Sequence, residues 1–113
     1  MTTFQEREQA FEAKFAHDEH FRFLVTARRD KLFAQWAAER FRLSEPARTG
    51  LTVSVLAVRD GAGHDERLLQ HMDQALAASG SKVQHAELAA ALQACAVQAR
   101  QQLLASSFGA SAA

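Results

Sequence analysis

The sequence predicts an all-α protein: a four-helix bundle carrying an N-terminal amphipathic segment that projects or is disordered. Three observations carry this. Only one proline and five glycines interrupt 113 residues rich in alanine, so few positions break a helix. Apolar residues recur at about 100° per residue over long stretches. Alternation of the strand type is confined to Leu51 to Val58, where β-branched residues and Gly50 also suit a strand. A lone strand would have no partner, and that stretch is read as helix.

The first bundle helix is expected from Asp18 to about Leu43. Phe21, Leu24, Val25, Leu32, Trp36 and Leu43 form one apolar side, and Phe23, Ala27, Ala34, Ala37 and Phe41 lie nearly opposite. A helix apolar on two sides needs neighbours on both. Ser44-Glu45-Pro46 reads as a restart, with serine as cap and proline in the first turn. Gly61 and Gly63 end the second helix. Asp65 is the expected cap of a third running to about Ser79, with Gly80 as its stop. Ser81 with Gln84 matches a capping box for a last helix to about Ala105, whose buried stripe is Val83, Leu88, Leu92, Ala96, Ala99 and Leu103. The expected organisation is a segment 1–19, a bundle 20–105 and a frayed tail 106–113. Short connections favour an antiparallel arrangement.

Composition narrows the functional classes. Thirteen basic and thirteen acidic residues cancel, eight of each within residues 1–45 and five of each afterwards. No long-range field draws the chain to nucleic acid or an anionic membrane. The single cysteine, Cys95, rules out an intrachain disulfide and reads as packing. Neither a signal peptide nor a membrane-spanning run is visible, and the cytoplasm is the expected location. Phosphate loops, GxSxG, HExxH and CxxC are all missing, so no enzyme and no cofactor are expected. His17 and His20 lack a third metal ligand, while His64, His71 and His85 show no grouping; all five are expected on solvated surfaces. Arg28, Arg29 and Lys31 form a small basic cluster, interrupted by Asp30. They suit either ATP or ADP phosphate or a solvated, salt-bridged face.

The opening stretch MTTFQEREQAFEAKFAHDEH sets Phe4, Phe11 and Phe15 among charged residues. On a helix these rings fall within about 40° of one another, about a quarter turn from the Phe21/Trp36 side. Spacing alone leaves two readings open. The rings complete the bundle core by folding back near Asp18 to His20, or they lie in another protein's groove.

The run Arg7-Glu8-Gln9-Ala10-Phe11-Glu12-Ala13-Lys14-Phe15-Ala16-His17-Asp18-Glu19, with Thr26-Ala27-Arg28-Arg29-Asp30-Lys31-Leu32 and Trp36-Ala37-Ala38-Glu39, resembles the zeta subunit of alphaproteobacterial F-type ATP synthases. The likeness is close over residues 1–43; beyond that it is mainly of helix layout. The apolar LTVSVLAV helix, the short GAGHDER connection and the alanine-rich last helix depart from the family pattern. The resemblance implies an ATPase inhibitor whose N-terminal segment enters a catalytic interface between alpha and beta subunits and reaches the central-stalk gamma subunit, blocking rotation in the hydrolytic direction. It implies Phe4, Arg7, Glu8, Phe11, Lys14, Phe15, His17 and Asp18 as partner-binding residues, with the rings as anchors. His17 would add pH sensitivity. A free monomer, peripheral to the inner membrane when bound to the synthase, is expected. The alternatives are a helical nucleotide-binding module using Arg28, Arg29 and Lys31, and an adaptor that oligomerises through its Phe stripe.

Overall fold

The computed structural model describes residues 3–15 and 18–112; at positions 4, 8, 11, 12, 14, 15 and 107–112 the backbone alone is described. The elements are α1 (Phe4–Phe15), α2 (Glu19–Arg40), α3 (Glu45–Leu56), α4 (His64–Ala78) and α5 (His85–Ala112), with no strand among the described residues. The all-α expectation holds, and the Leu51 to Val58 stretch lies in α3 and the turn that follows it.

Helices α2 to α5 close a ring in which α2 packs on α3 and α5, and α4 on α3 and α5. Side-chain pairs fix the directions. Arg28 meets Gln102 and Arg40 meets Glu87, so α2 and α5 are antiparallel. His71 meets Ser54 while His64 meets Arg59, which sets α4 antiparallel to α3. The core is built from Phe33, Ala34, Ala37, Leu51, Val55, Leu68, Met72, Leu76, Leu88, Leu92 and Cys95, drawn from all four helices. Alanines at the centre of α2 let its neighbours approach closely on both sides, as the two-sided pattern required. Phe33, fully buried, belongs to neither predicted side because it falls between them. Phe23, expected on the second apolar side, is 57% exposed. It lines a small cavity with Leu56 and Val58, at the end of α3.

Several boundaries differ from expectation for local reasons. Helix α2 stops at Arg40 rather than near Leu43 because Arg42 adopts a left-handed φ of 52° and the Leu43 amide closes onto the Ala38 carbonyl. No glycine marks that stop. Helix α3 begins as read, with the Ser44 hydroxyl accepting from the Ala47 amide and Pro46 in the first turn. Helix α4 begins at His64, not behind an Asp65 cap; Gly63 precedes it in the left-handed region with no side-chain cap. Asp65 and Glu66 instead occupy the first turn, where their charge complements the helix dipole. Gly80 does end α4, with φ 83° and the Ser81 amide closing onto the Leu76 carbonyl. Ser81 does not cap α5, which starts later, at His85, and the Ser81 hydroxyl meets that of Ser79 at 3.3 Å. The Glu87 and Leu88 amides begin α5 on the Gln84 carbonyl instead. Helix α5 continues past Ala105 to Ala112, its serine- and alanine-rich end carrying no proline to halt it. The buried residues of α5 are Leu88, Leu92, Cys95, Ala99 and Leu104. Leu104 takes the place expected for Leu103.

Candidate functional site

Helices α1 and α2 are separate helices, each with its own start signal. At the start of α1 the Thr3 amide donates to Glu6 Oε2 at 2.9 Å and the Glu6 amide donates to Thr3 Oγ1 at 3.1 Å. This is a reciprocal capping box. At the start of α2 the Phe21 amide donates to Asp18 Oδ1 at 3.1 Å. The extended backbone of Asp18 (φ −80°, ψ 111°) turns the chain there. Because α1 is one helix from Phe4 to Phe15, positions 4, 11 and 15 fall on one side of its backbone.

Helix α1 lies alongside α5. It leads into the end of α2 that sits by the C-terminal half of α5, as the Arg28 to Gln102 bond at 3.0 Å shows. No described core residue comes from α1. Ala10 and Ala13, the apolar residues of α1 whose side chains are described, are exposed.

Of the eight positions drawn from the resemblance, Arg7 and Asp18 are described with side chains. Both are exposed, Arg7 on α1 and Asp18 as the cap of α2. The side chains of Phe4, Glu8, Phe11, Lys14 and Phe15, and the whole of His17, lie outside the described residues.

The basic cluster of α2 is divided by its surroundings. Arg29, with only 11% of its side chain exposed, reaches Asp30 at 2.9 Å and crosses to Asp65 on α4 at 2.8 Å. Burial works against its charge, but the bonds to Asp65 and Asp30 outweigh this and raise its pKa. Arg28 and Lys31 flank a groove of about 280 Å³ with Leu24, Ala27, Leu56 and Leu103. The three residues thus do not converge on one point.

His64, expected on a solvated surface, is buried and faces the equally buried Asp30 at 2.7 Å. Nothing in the spacing of residues so far apart in the chain announces this pair. Asp30 stands in the charged run Arg28-Arg29-Asp30-Lys31, which reads as surface. His71 is half-buried and meets the Ser54 hydroxyl at 2.8 Å. Cys95 is buried as read, and burial pushes its thiol up, with Arg29 pulling weakly the other way. Among the described residues no three of His, Cys, Asp and Glu are placed to hold a metal. No helix among them is long and apolar enough to cross a membrane.

The chain matches no curated protein and no solved structure. A family model does match, covering residues 1–102, from ahead of α1 through the bundle and most of α5. The distinct, self-capped N-terminal helix and the four-helix body both fall within that match, and the chain belongs to the family described as ATPase inhibitor subunit zeta.

Proposed function

We propose that this chain inhibits ATP hydrolysis by an F-type ATP synthase by inserting its N-terminal helix into a catalytic alpha/beta interface of the head, reaching gamma and stopping rotation. The observation that carries the reading is α1 itself. It is a helix with its own start signal, and it holds Arg7 to Phe15, the first part of the run that resembles the family's inhibitory segment. Phe4, Phe11 and Phe15, on one side of its backbone, are the proposed anchors. Arg7, Glu8, Lys14, His17 and Asp18 are the proposed polar contacts that set register. Insertion requires α1 to part from α5, so the contact between them is exchanged for the partner. The protein acts as a non-catalytic wedge with no cofactor of its own.

Deleting residues 1–19 tests this. The remaining bundle keeps its core, remains folded by circular dichroism, and loses inhibition of the isolated catalytic head. A folded, truncated bundle that still inhibits hydrolysis overturns the proposal.

A further inference from the structure

His64 opens α4 with both ring nitrogens facing oxygen. Nδ1 lies 2.8 Å from the Arg59 carbonyl and Nε2 lies 2.7 Å from Asp30 Oδ2. A carbonyl oxygen has no proton to give, so Nδ1 must carry one. Nε2 must carry a second unless Asp30 is itself protonated. Asp30 Oδ1 accepts from Nε of Arg29 at 2.9 Å, and Nη2 of the same guanidinium stands at 2.9 Å as an ion pair, surroundings suited to an ionised carboxylate. With Asp30 ionised, the second proton sits on the ring, which makes His64 an imidazolium although it is only 8% exposed.

The charged groups around the ring cancel among themselves, so the ring proton is held by its two oxygen partners and not by an excess of negative charge. From α2 come Arg29 and Asp30. The α3–α4 connection contributes the exposed Arg59 and Asp60, whose Oδ1 lies 3.7 Å from Nδ1. From α4, Asp65 bonds Arg29, and the Arg67 guanidinium donates to the Arg59 carbonyl at 2.7 Å and the Ala62 carbonyl at 2.8 Å. Glu19 and Arg22 line the outer mouth of the same groove. Arg67 ties the connection to α4, and His64 ties that assembly to α2.

We propose that His64 is a proton-dependent latch: charged, it pins residues 57–63 and the start of α4 to Asp30 of α2, and on losing its proton it releases them. After deprotonation only one ring nitrogen keeps a proton, so the other turns a lone pair towards an oxygen it had bonded, either Asp30 Oδ2 at 2.7 Å or the Arg59 carbonyl at 2.8 Å, and one of the two ties is lost. Burial opposes the charged ring, yet the Arg59 carbonyl and Asp30, aided by Asp60, outweigh it and hold the His64 pKa above its ordinary value. The sign follows. The stabilisation is complete below the unfolded pKa of about 6.5 and is lost as pH rises from there through the higher folded value.

The test is a pH titration of the full chain by imidazole nitrogen NMR, joined to urea unfolding of the native protein and His64→Gln. Both His64 nitrogens are expected to show imidazolium shifts at pH 6, with a midpoint above about 6.5. Amide exchange over residues 57–63, corrected for its intrinsic pH dependence, is expected to quicken through that midpoint. The unfolding constant of the native chain should climb by up to about tenfold per pH unit between the two pKa values, a rise missing from His64→Gln. A His64 midpoint at or below about 6.5, or identical pH dependence in both proteins, overturns the proposal. If His64→Gln does not fold, the ring titration on the native chain decides alone.

Discussion

Thr3 and Glu6 each satisfy the other's backbone amide, at 2.9 and 3.1 Å, so α1 begins with its own reciprocal cap. A helix capped in this way is partly formed before any partner is met, which lowers the ordering cost of insertion. Thr3→Ala is expected to remove about 0.5–1 kcal/mol from α1, the low end for an exposed cap. Amide exchange over residues 4–15 should quicken by roughly two- to fivefold while the unfolding midpoint of the bundle stays fixed. If α1 enters its partner as a helix, inhibition weakens by a similar factor. Unchanged exchange in the variant would show that the cap does not hold the helix.

Asp18 serves two masters that one pair of substitutions separates. Its Oδ1 accepts from the Phe21 amide at 3.1 Å, and its charge is one of the proposed partner contacts. Asp18→Ala loses both and is expected to cost about 1 kcal/mol of bundle stability. Asp18→Asn keeps an acceptor at the cap and should stay within about 0.5 kcal/mol of the native protein by urea unfolding. Weakened inhibition by Asp18→Asn at unchanged stability assigns the charge to the partner; unaltered inhibition limits Asp18 to capping.

The bundle was legible because its signals are local. Apolar residues at helical spacing, Ser44-Glu45-Pro46 and Gly80 each act within a turn or two of themselves. The exceptions are equally physical. Arg42 ends α2 in a conformation that side chains rarely adopt, so no residue type announces the stop. Thr3 with Glu6 is a readable capping box that the longer helical pattern obscures. Asp30 and His64 meet only once α2 and α4 are assembled, a tertiary fact invisible to spacing. The candidate site was legible in a different way, through a specific motif in residues 7–19, since ring spacing alone fits a core or a partner equally well.

Glycines in this fold divide by backbone conformation, and substitution should follow that division. Gly50 sits inside α3 with a negative φ and nothing within 4 Å of an added Cβ. Gly50→Ala is expected to stabilise by about 0.5–1 kcal/mol, through higher helix propensity and a less mobile unfolded chain. Gly63 has φ 79°, and a Cβ there would stand 3.0 Å from Arg67 Nη1, which holds the Ala62 carbonyl. Gly63→Ala is expected to destabilise by about 1–2 kcal/mol. Urea midpoints moving in the same direction for both would refute this account of α3 and the α4 start.

Phe33 and Phe23, both on α2, should respond to truncation in opposite ways. Phe33 is fully buried, its ring stacked on Trp36 with centroids 5.9 Å apart and planes 3° from parallel. Trp36 in turn meets Phe41 edge-on, so the cavity left by Phe33→Ala opens beneath a connected aromatic group. A loss of about 3–5 kcal/mol is expected, a large share of the roughly 5–15 kcal/mol that holds such a domain together. Phe23→Ala, at a position 57% exposed, should move the urea midpoint by no more than about 0.5 kcal/mol equivalent. A Phe33→Ala protein as stable as the native one would mean that the bundle packs differently around α2. A Phe23→Ala loss beyond 1 kcal/mol or so would place that ring in the folded interior rather than on its surface.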